Sequence, residues 1–490
     1  MKPALPSALP PGPRLPRAAQ LVRMSTDPYG FFADCHARYG DFFTLRLPGQ
    51  RPQVFACEPE AVRALTTGGY DDFLRDAEAI RFMLGDHAVI FQQDAPHKET
   101  RRLMMPPFHG ERMRAYGHDM AAIADEVIDA WRDGDERVLH KELQHVTLRV
   151  ILRTIFGITD GPRMAEFGRL VVDYLDAVMT PWFYGASLIL SGPRVRDFLR
   201  RRGAHMRADG AHTRSRWPVQ RVADLVGAIE AILADEIGRC RALAPEERAR
   251  RQDILALLVD ARYDDGRGLD DEELRDQLMI LLIGGHETSA TSLSWAIACA
   301  LQHPGTLARM RDEVDTVFAG GFDAAKVKQL AYVGAVASES MRLYPIATAV
   351  TRILKRERTF GGYTLPAGTR VGACIYLTQR NPRIWPEPEA FRPERFLDGR
   401  ASVYEFFPFG AGVWRCLGAQ FAEYEMRVVL ARLVARAELA LDGGGRLRAV
   451  QRGFTVAPSD GVPVRVQRRR PNSAASRARA AAPPTLDHAP

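Results

Sequence analysis

Phe409-Gly410-Ala411-Gly412-Val413-Trp414-Arg415-Cys416-Leu417-Gly418 runs straight into the helical pattern Ala419-Gln-Phe-Ala-Glu-Tyr-Glu-Met-Arg-Val-Val-Leu430, and the rest of the chain is read outward from it. A glycine-rich turn feeding a helix N-terminus directs backbone N–H groups and the positive end of the helix dipole at one sulfur, which favours thiolate. An anionic sulfur so placed suits a redox thiol, a zinc ligand or an axial ligand to haem iron. Zinc needs further Cys or His at short spacing, and disulfide exchange needs a resolving cysteine. Cys35, Cys57, Cys240, Cys299 and Cys374 lie far off in sequence and form no such pattern. A lone thiolate fits haem best, with an inert packed cysteine as the competing view.

Phe409 stands seven residues before Cys416, Gly412 four before and Gly418 two after, and this loop, with Gly410 inside it, resembles the haem-binding loop of the haem-thiolate monooxygenases, the cytochromes P-450. Three more stretches resemble that family in the same order: Gly284-Gly-His-Glu287-Thr288-Ser its oxygen-activating helix segment, Glu339-Ser-Met-Arg342 its Glu-x-x-Arg helix, and Pro393-Glu-Arg395-Phe396 its arginine loop. The resemblance covers about Tyr39 to Val466. It implies a mainly α fold with a small β region, a single domain, and haem between the Thr288 helix and the Cys416 loop.

Composition agrees with one large domain. The chain has 490 residues, 46% of them hydrophobic, and no Gly/Ser linker divides it before Val466. We expect a proline-rich segment over 1–20, the monooxygenase domain over 21–466 and a disordered basic tail over 467–490, where Arg-Val-Gln-Arg-Arg-Arg470 leads into low-complexity sequence. A second basic stretch, 194–217, reads as an exposed, mobile, lid-like insertion. The net charge of +7 is partly local to these stretches, and neither has the aromatic interleaving of a base-stacking platform, so nucleic acid is not expected. No apolar run approaches the roughly 20 residues of a membrane span, and the proline-rich start lacks a signal-peptide core. A cytoplasmic monomer with reduced thiols is expected.

Periodicity predicts a hairpin over Tyr39–Ala56 and a helix over Pro59–Thr67. Further helices are predicted over His118–Arg132, Leu143–Phe156, Met164–Met179, Arg221–Ala242, Asp271–Gln302, Leu307–Val317 and Leu330–Leu343. Strands are predicted at Ala349–Ile353, Tyr363–Leu365, Arg370–Ile375 and Phe454–Val466.

The site follows from the residues and the resemblance together. In the apolar helix around Thr288 the paired glycines weaken the ladder, and the Thr288 hydroxyl can bond the Gly284 carbonyl four residues back, so a local opening of the helix is expected. The resemblance makes Thr288 and Glu287 the pair that delivers protons to bound oxygen, and turns His286 away from the haem. A Gly-bent core helix with a back-bonding Thr is the bland alternative. Glu339 and Arg342, at i and i+3, could be a surface ion pair; the resemblance adds Arg395 to them as a structural triad holding the loop that leads to the cysteine.

Haem propionates need cationic donors. His97 and Arg101 share one helix face at i, i+4 and resemble the family's His-x-x-x-Arg pattern, and Arg352 matches another propionate arginine. Trp414 departs from the pattern, since the family usually carries Arg or His there and indole offers one N–H and no charge. Arg415 is the neighbouring candidate to take over. Gln379 replaces a frequent His and has no evident chemistry. Family comparison puts pocket walls in Ala79–Gln93, Phe167–Phe183, Met279–Thr288, Ala347–Thr351 and Phe454–Ser459. Phe82, Ile90, Phe91, Leu282, Ile283, Gly284, Ala347, Val350 and Phe454 are the substrate-pocket candidates from these walls.

What the resemblance implies is insertion of one oxygen atom from O2 into an apolar substrate, fatty-acid-like, terpenoid or polyketide, with heme b (iron protoporphyrin IX) held by Cys416 pushing electron density toward O–O cleavage. No flavin or nicotinamide fingerprint is appended, so a separate ferredoxin or flavodoxin with its reductase is expected, with NAD(P)H acting indirectly. Arg101, Arg102, Arg415 and Arg427 are candidates for the face it docks on. A peroxide-driven or isomerising haem-thiolate enzyme, and a haem-based sensor or binding protein, are the competing functions.

Overall fold

Apolar periodicity places three helix starts at Met164, Arg221 and Leu307, and each helix begins two or three residues earlier, on a proline: Pro162–Val178, Pro218–Ala242 and Pro304–Val317. Proline has no N–H to lose in a first helical turn and its φ is already helical, so a polar, proline-led turn extends a helix beyond its apolar pattern. The computed structural model describes residues 9–108, 110–159, 161–180, 195–199, 201, 218–399, 401–442 and 447–471.

The helix Asp271–Gln302 has the predicted bounds and forms the spine. Its start is a capping box: Asp270 Oδ1 accepts from the Glu273 N–H at 2.8 Å, and Glu273 Oε2 from the Asp270 N–H at 3.0 Å. Helix Leu139–Phe156 packs along one side of this spine, while Ala331–Leu343 and the cysteine helix Ala419–Arg436 pack on others. The close approach of Leu139–Phe156 depends on Gly285, where a Cβ would lie 2.5 Å from Ile151 Cδ1. One continuous apolar core joins these helices.

The β structure is peripheral. The predicted hairpin is Phe42–Leu45 against Gln53–Ala56, and the predicted helix Pro59–Thr67 follows it. A five-stranded sheet runs in the order Phe42–Leu45, Gln53–Ala56, Arg370–Cys374, Ala349–Leu354, Phe73–Arg75, with only the Gln53–Arg370 pairing parallel. The strand expected over Phe454–Val466 is two strands. Gly461 and Val462 at φ +71° and +63° turn the chain between Thr455–Pro458, which pairs with Ala449–Arg452, and Pro463–Arg469, which joins Ala437–Leu441 and Glu136–Val138 in another sheet.

Expected boundaries shift accordingly. Helix Arg17–Thr26 spans the boundary set at residue 20, and strand Pro463–Arg469 passes the one set at 466, because Arg468 pairs with Glu438 at 2.8 Å. Most of the 194–217 insertion and the tail from 472 lie outside the described residues. At the insertion's start residues 195–199 are helical; Asp197 and Phe198 are exposed as expected, while Arg196 is buried, reaching Asp86 at 3.2 Å and Asp276 at 3.4 Å. Among the described residues no helix is long and apolar enough to cross a membrane.

Candidate active site

Cys416 is placed by the backbone of its own loop. Its N–H donates to the Phe409 carbonyl at 2.8 Å, closing a turn in which Gly410 and Gly412 take φ of +67° and +68°. At Gly412 a Cβ would meet the Thr66 carbonyl oxygen at 2.5 Å, so only glycine fits. Gly418 caps the helix that follows, and its backbone N–H acts on the sulfur. The thiol opens into a cavity of about 600 Å³. Surrounding protein desolvates it and raises its pKa, against the lowering pull of the Gly418 N–H and then of Arg101, Arg75 and Arg415. The Gly418 N–H and the three arginines are the groups that favour a thiolate at this position.

Across the cavity stands the spine helix. Leu281, Gly284, Gly285, Thr288 and Ser292 line it, at i, i+3, i+4, i+7 and i+11. Thr288 Oγ1 donates to the Gly284 carbonyl, as expected, yet the helix runs without interruption and the expected opening is absent. Gly284 supplies the space instead, since a Cβ there would meet nothing within 4 Å.

Helical phase also corrects three assignments. Glu287 does not reach the cavity: its carboxylate accepts from Gln144 Nε2 at 2.7 Å and lies 3.4 Å from His140 Nε2, on the side facing helix Leu139–Phe156. Burial would raise its pKa, but the hydrogen bond and charge of His140, with help from His286 and Gln144, leave it lowered. Leu282 and Ile283 sit in the core, 1% and 2% exposed, rather than on the cavity wall. His286 is buried against Thr147 Oγ1, 3.0 Å from Nδ1, away from the cavity as expected. Phe82 packs into the core from the turn Arg81–Leu84, and Phe91 lies under the Arg81 guanidinium, 4.3 Å from its ring centroid, so neither lines the cavity. Ile90, Gly284, Ala347, Val350, Phe454 and Phe409 do line it. Phe167 is buried elsewhere, and 181–183 lie outside the described residues.

Cations gather at the Cys416 end. Arg75 and Arg352 are direct partners on adjacent antiparallel strands, and both line the cavity with His97, Arg101 and Trp414. Like charges placed opposite each other are unfavourable. Desolvation lowers the pKa of Arg75 to about 9, with Arg352 adding to it, and that of Arg352 to about 10. None of Arg75, Arg101 and Arg352 meets a carboxylate within ion-pair distance among the described residues. The Arg352 Nε and Trp414 Nε1 are buried without partners. Trp414 is clamped between Tyr70, 5.2 Å away in an edge contact, and the Arg352 guanidinium, 4.5 Å from its ring centroid. His97 Nδ1 pairs with the Tyr70 hydroxyl at 2.5 Å, and burial, then Arg75 and Arg101, push its pKa down to about 4, so it is neutral.

Behind the cysteine loop, Arg342 holds Glu339 through Nε at 2.7 Å and Nη2 at 2.9 Å, and Arg395 Nε lies 3.4 Å from Glu339 Oε1. Gln379 completes the brace. Its Nε2 donates to the Met341 and Arg342 carbonyls at 3.0 and 3.1 Å, and its Oε1 accepts from the Phe407 N–H at 3.2 Å, two residues before Phe409.

A family model described as Cytochrome P450 matches residues 9–461. The chain belongs to the cytochrome P450 family. It is 35% identical over 480 residues to putative cytochrome P450 135B1 of Mycobacterium tuberculosis, covering 96% of this chain and 94% of the relative. Putative cytochrome P450 135A1 of the same species is 32% identical, covering 95% and 97%. Among solved structures, retinoic acid bound cyanobacterial CYP120A1 matches with a TM-score of 0.78 and 24% identity, over 95% of this chain and 100% of that one, which shows the same fold. The protein is therefore a cytochrome P450 monooxygenase, an oxidoreductase that uses haem and O2.

The donor set of this cytochrome P450 fits haem. One sulfur faces the cavity beside a turn where only glycine fits, and three arginines that meet no carboxylate among the described residues, with an orphaned indole N–H, gather at the same end, a donor set suited to a group that carries two carboxylates. Arg75 escaped the sequence reading because a three-residue strand carries no periodicity, and its pairing with Arg352 is set by a partner far along the chain. Nothing in the sequence gives Gln379 a role; its bonds form only once two segments meet.

Proposed function

We propose that this cytochrome P450 inserts oxygen into an apolar small molecule, fatty-acid-like, terpenoid or polyketide in class. Electrons would come from a ferredoxin or flavodoxin and its reductase, drawing on NAD(P)H, in the cytoplasm. The observation that carries the substrate class is the cavity itself, walled by Ile80, Val89, Ile90, Ile280, Leu281 and Phe454 between Cys416 and Thr288. All six cysteines are unpaired, as a reducing compartment requires.

Cys416 would hold the haem, with Arg75, Arg101, Arg352, His97 and Trp414 as donors for its propionates, and the group would supply oxygen binding and O–O cleavage. The chain's own part is placement. Gly284 leaves room beside the helix, and the apolar wall excludes bulk water and orients the substrate's C–H bonds. Thr288 donates its hydroxyl hydrogen bond to the Gly284 carbonyl, so its oxygen lone pairs remain for a water that can carry a proton at that point. Glu339, Arg342, Arg395 and Gln379 hold the cysteine loop from behind.

Of the basic candidates for the docking face, Arg102 and Arg415 are exposed, Arg102 paired with Asp264 at 2.6 Å and Arg415 also lining the cavity, whereas Arg101 and Arg427 are half-buried. Purified ferric protein titrated with fatty acids, terpenes and macrolide-like compounds should move toward high spin with the apolar members. A response confined to charged polar compounds would sink the substrate assignment.

One observation favours a second reading of the oxygen source. With Glu287 turned to Gln144 and His140, no carboxylate of the spine helix meets the cavity, a geometry that suits peroxide, which brings its own protons. Turnover with peroxide that matches or exceeds turnover with O2 and an electron donor would select it.

A further inference from the structure

Three side chains of metal-ligating type meet outside the haem cavity, none of them among its lining residues. His36 lies in the last turn of helix Pro28–Tyr39, Gly40 at φ +80° ends that helix, and Asp41 leads into strand Phe42–Leu45. Cys57 follows strand Gln53–Ala56, and the hairpin register that sets Phe42 opposite Ala56 brings Asp41 to Cys57, whose N–H donates to the Asp41 carbonyl at 3.0 Å. His36 Nε2 is 2.9 Å from Asp41 Oδ1, Cys57 Sγ is 3.4 Å from the same oxygen, and the three donor atoms all lie within 4.8 Å of one another. Tetrahedral zinc, with bonds of about 2.0–2.1 Å to nitrogen and oxygen and about 2.3 Å to sulfur, holds its donors roughly 3.3–3.6 Å apart, so small side-chain rotations suffice.

The surroundings suit an ion. The other carboxylate oxygen, Oδ2, lies 3.7 Å from Arg383 Nη2, which orients Asp41 and leaves Oδ1 to the cluster. Cys57 is 3% exposed within an apolar cluster, while the His36 side chain at 44% gives a way in from solvent. Nitrogen, sulfur and carboxylate donors together select zinc-class cations over magnesium or calcium.

We propose that His36 Nε2, Asp41 Oδ1 and Cys57 Sγ bind one zinc-class divalent cation, with a fourth position open to water. The ion joins the end of the helix to the hairpin. Without it the groups facing the sulfur are Asp41, Cys374 and Arg383; burial first, then Cys374 and Asp41, hold the thiol protonated, with Arg383 opposing. Binding breaks the Cys57 S–H bond, forms a metal–thiolate bond and releases that proton to solvent, one per ion.

The test uses the haem-loaded protein, in which Cys416 is taken by iron. After dialysis against zinc and then metal-free buffer, elemental analysis should give one zinc per chain besides the haem iron. Calorimetry in buffers of different ionisation enthalpy should report about one proton released per ion, and the affinity should rise with pH. Cys57→Ser and His36→Gln should each weaken binding at least tenfold while leaving haem content unchanged. Should either variant fail to fold, the cadmium-113 resonance of the wild-type protein decides, since thiolate ligation shifts it far from an all-oxygen environment. No zinc retained by the wild type, equal retention in both variants, or a cadmium resonance of the all-oxygen kind overturns the proposal.

Discussion

Glu425 shows how much a single buried group can carry. It sits in the cysteine helix, 0% exposed, with both carboxylate oxygens lacking a well-aligned partner; Ser289 is the one neighbour that favours its charged form. Burial lifts its pKa from 4.5 to about 8. The folded protein therefore keeps a proton that the unfolded chain releases between those values, and stability falls as pH rises through that window, by on the order of a few kcal/mol. Glu425→Gln should flatten the dependence of Tm on pH between about 4.5 and 8, measured by thermal denaturation. Gly412→Ala, at φ +68° with the Thr66 carbonyl in the way, should cost about 1–3 kcal/mol and lower haem retention on a desalting column. For Thr288→Ala we expect electron consumption to be released as peroxide instead of product; unchanged coupling would remove its proposed role. That Cys416 and Thr288 belong to one site was legible in the sequence because both sit in local motifs, and both line the cavity. The side chain of Glu287 was not, since one helical step of 100° carried it from the cavity to His140.

Among elements, the brace behind the cysteine loop depends on segments that are strangers in sequence. Arg342 is 0% exposed and donates to Glu339 and also to the carbonyls of Gln379, Pro388 and Ala390 at 2.8, 2.7 and 3.2 Å. Removing one partner of such a pair strands the other charge, so Arg342→Ala should lose about 3–5 kcal/mol and most haem binding. Arg395→Ala should do less, because its contact to Glu339 is looser at 3.4 Å and its Nη2 reaches the Glu387 carbonyl at the loop edge. Chemical denaturation with haem absorbance as the probe distinguishes the two. The helix that bears Glu339 and Arg342 was readable from its period. That Gln379 would staple it to Phe407 was not, because a buried amide shows its partners only after packing.

For the whole molecule, the spine helix walls one side of a cavity whose lining is drawn from both halves of the chain. Its apolar wall and its cationic end come from strands, turns and helices spread from Met24 to Phe454. Reduction by an acidic carrier protein should slow as ionic strength rises, since exposed charges are screened over about 8–10 Å near physiological salt. Arg415→Gln should weaken that salt dependence in stopped-flow reduction; an unchanged slope would move the docking face elsewhere.

By itself the sequence determined the cysteine loop, the spine helix, the hairpin and the mainly helical class, because these follow from local spacing: glycines that permit positive φ, and apolar residues at helical or alternating period. Only the tertiary structure decided that Arg75 faces Arg352, that Glu287, Leu282 and Ile283 turn from the cavity, and that His36, Asp41 and Cys57 meet. Those outcomes depend on helix phase and strand register, which are settled by packing among segments hundreds of residues apart.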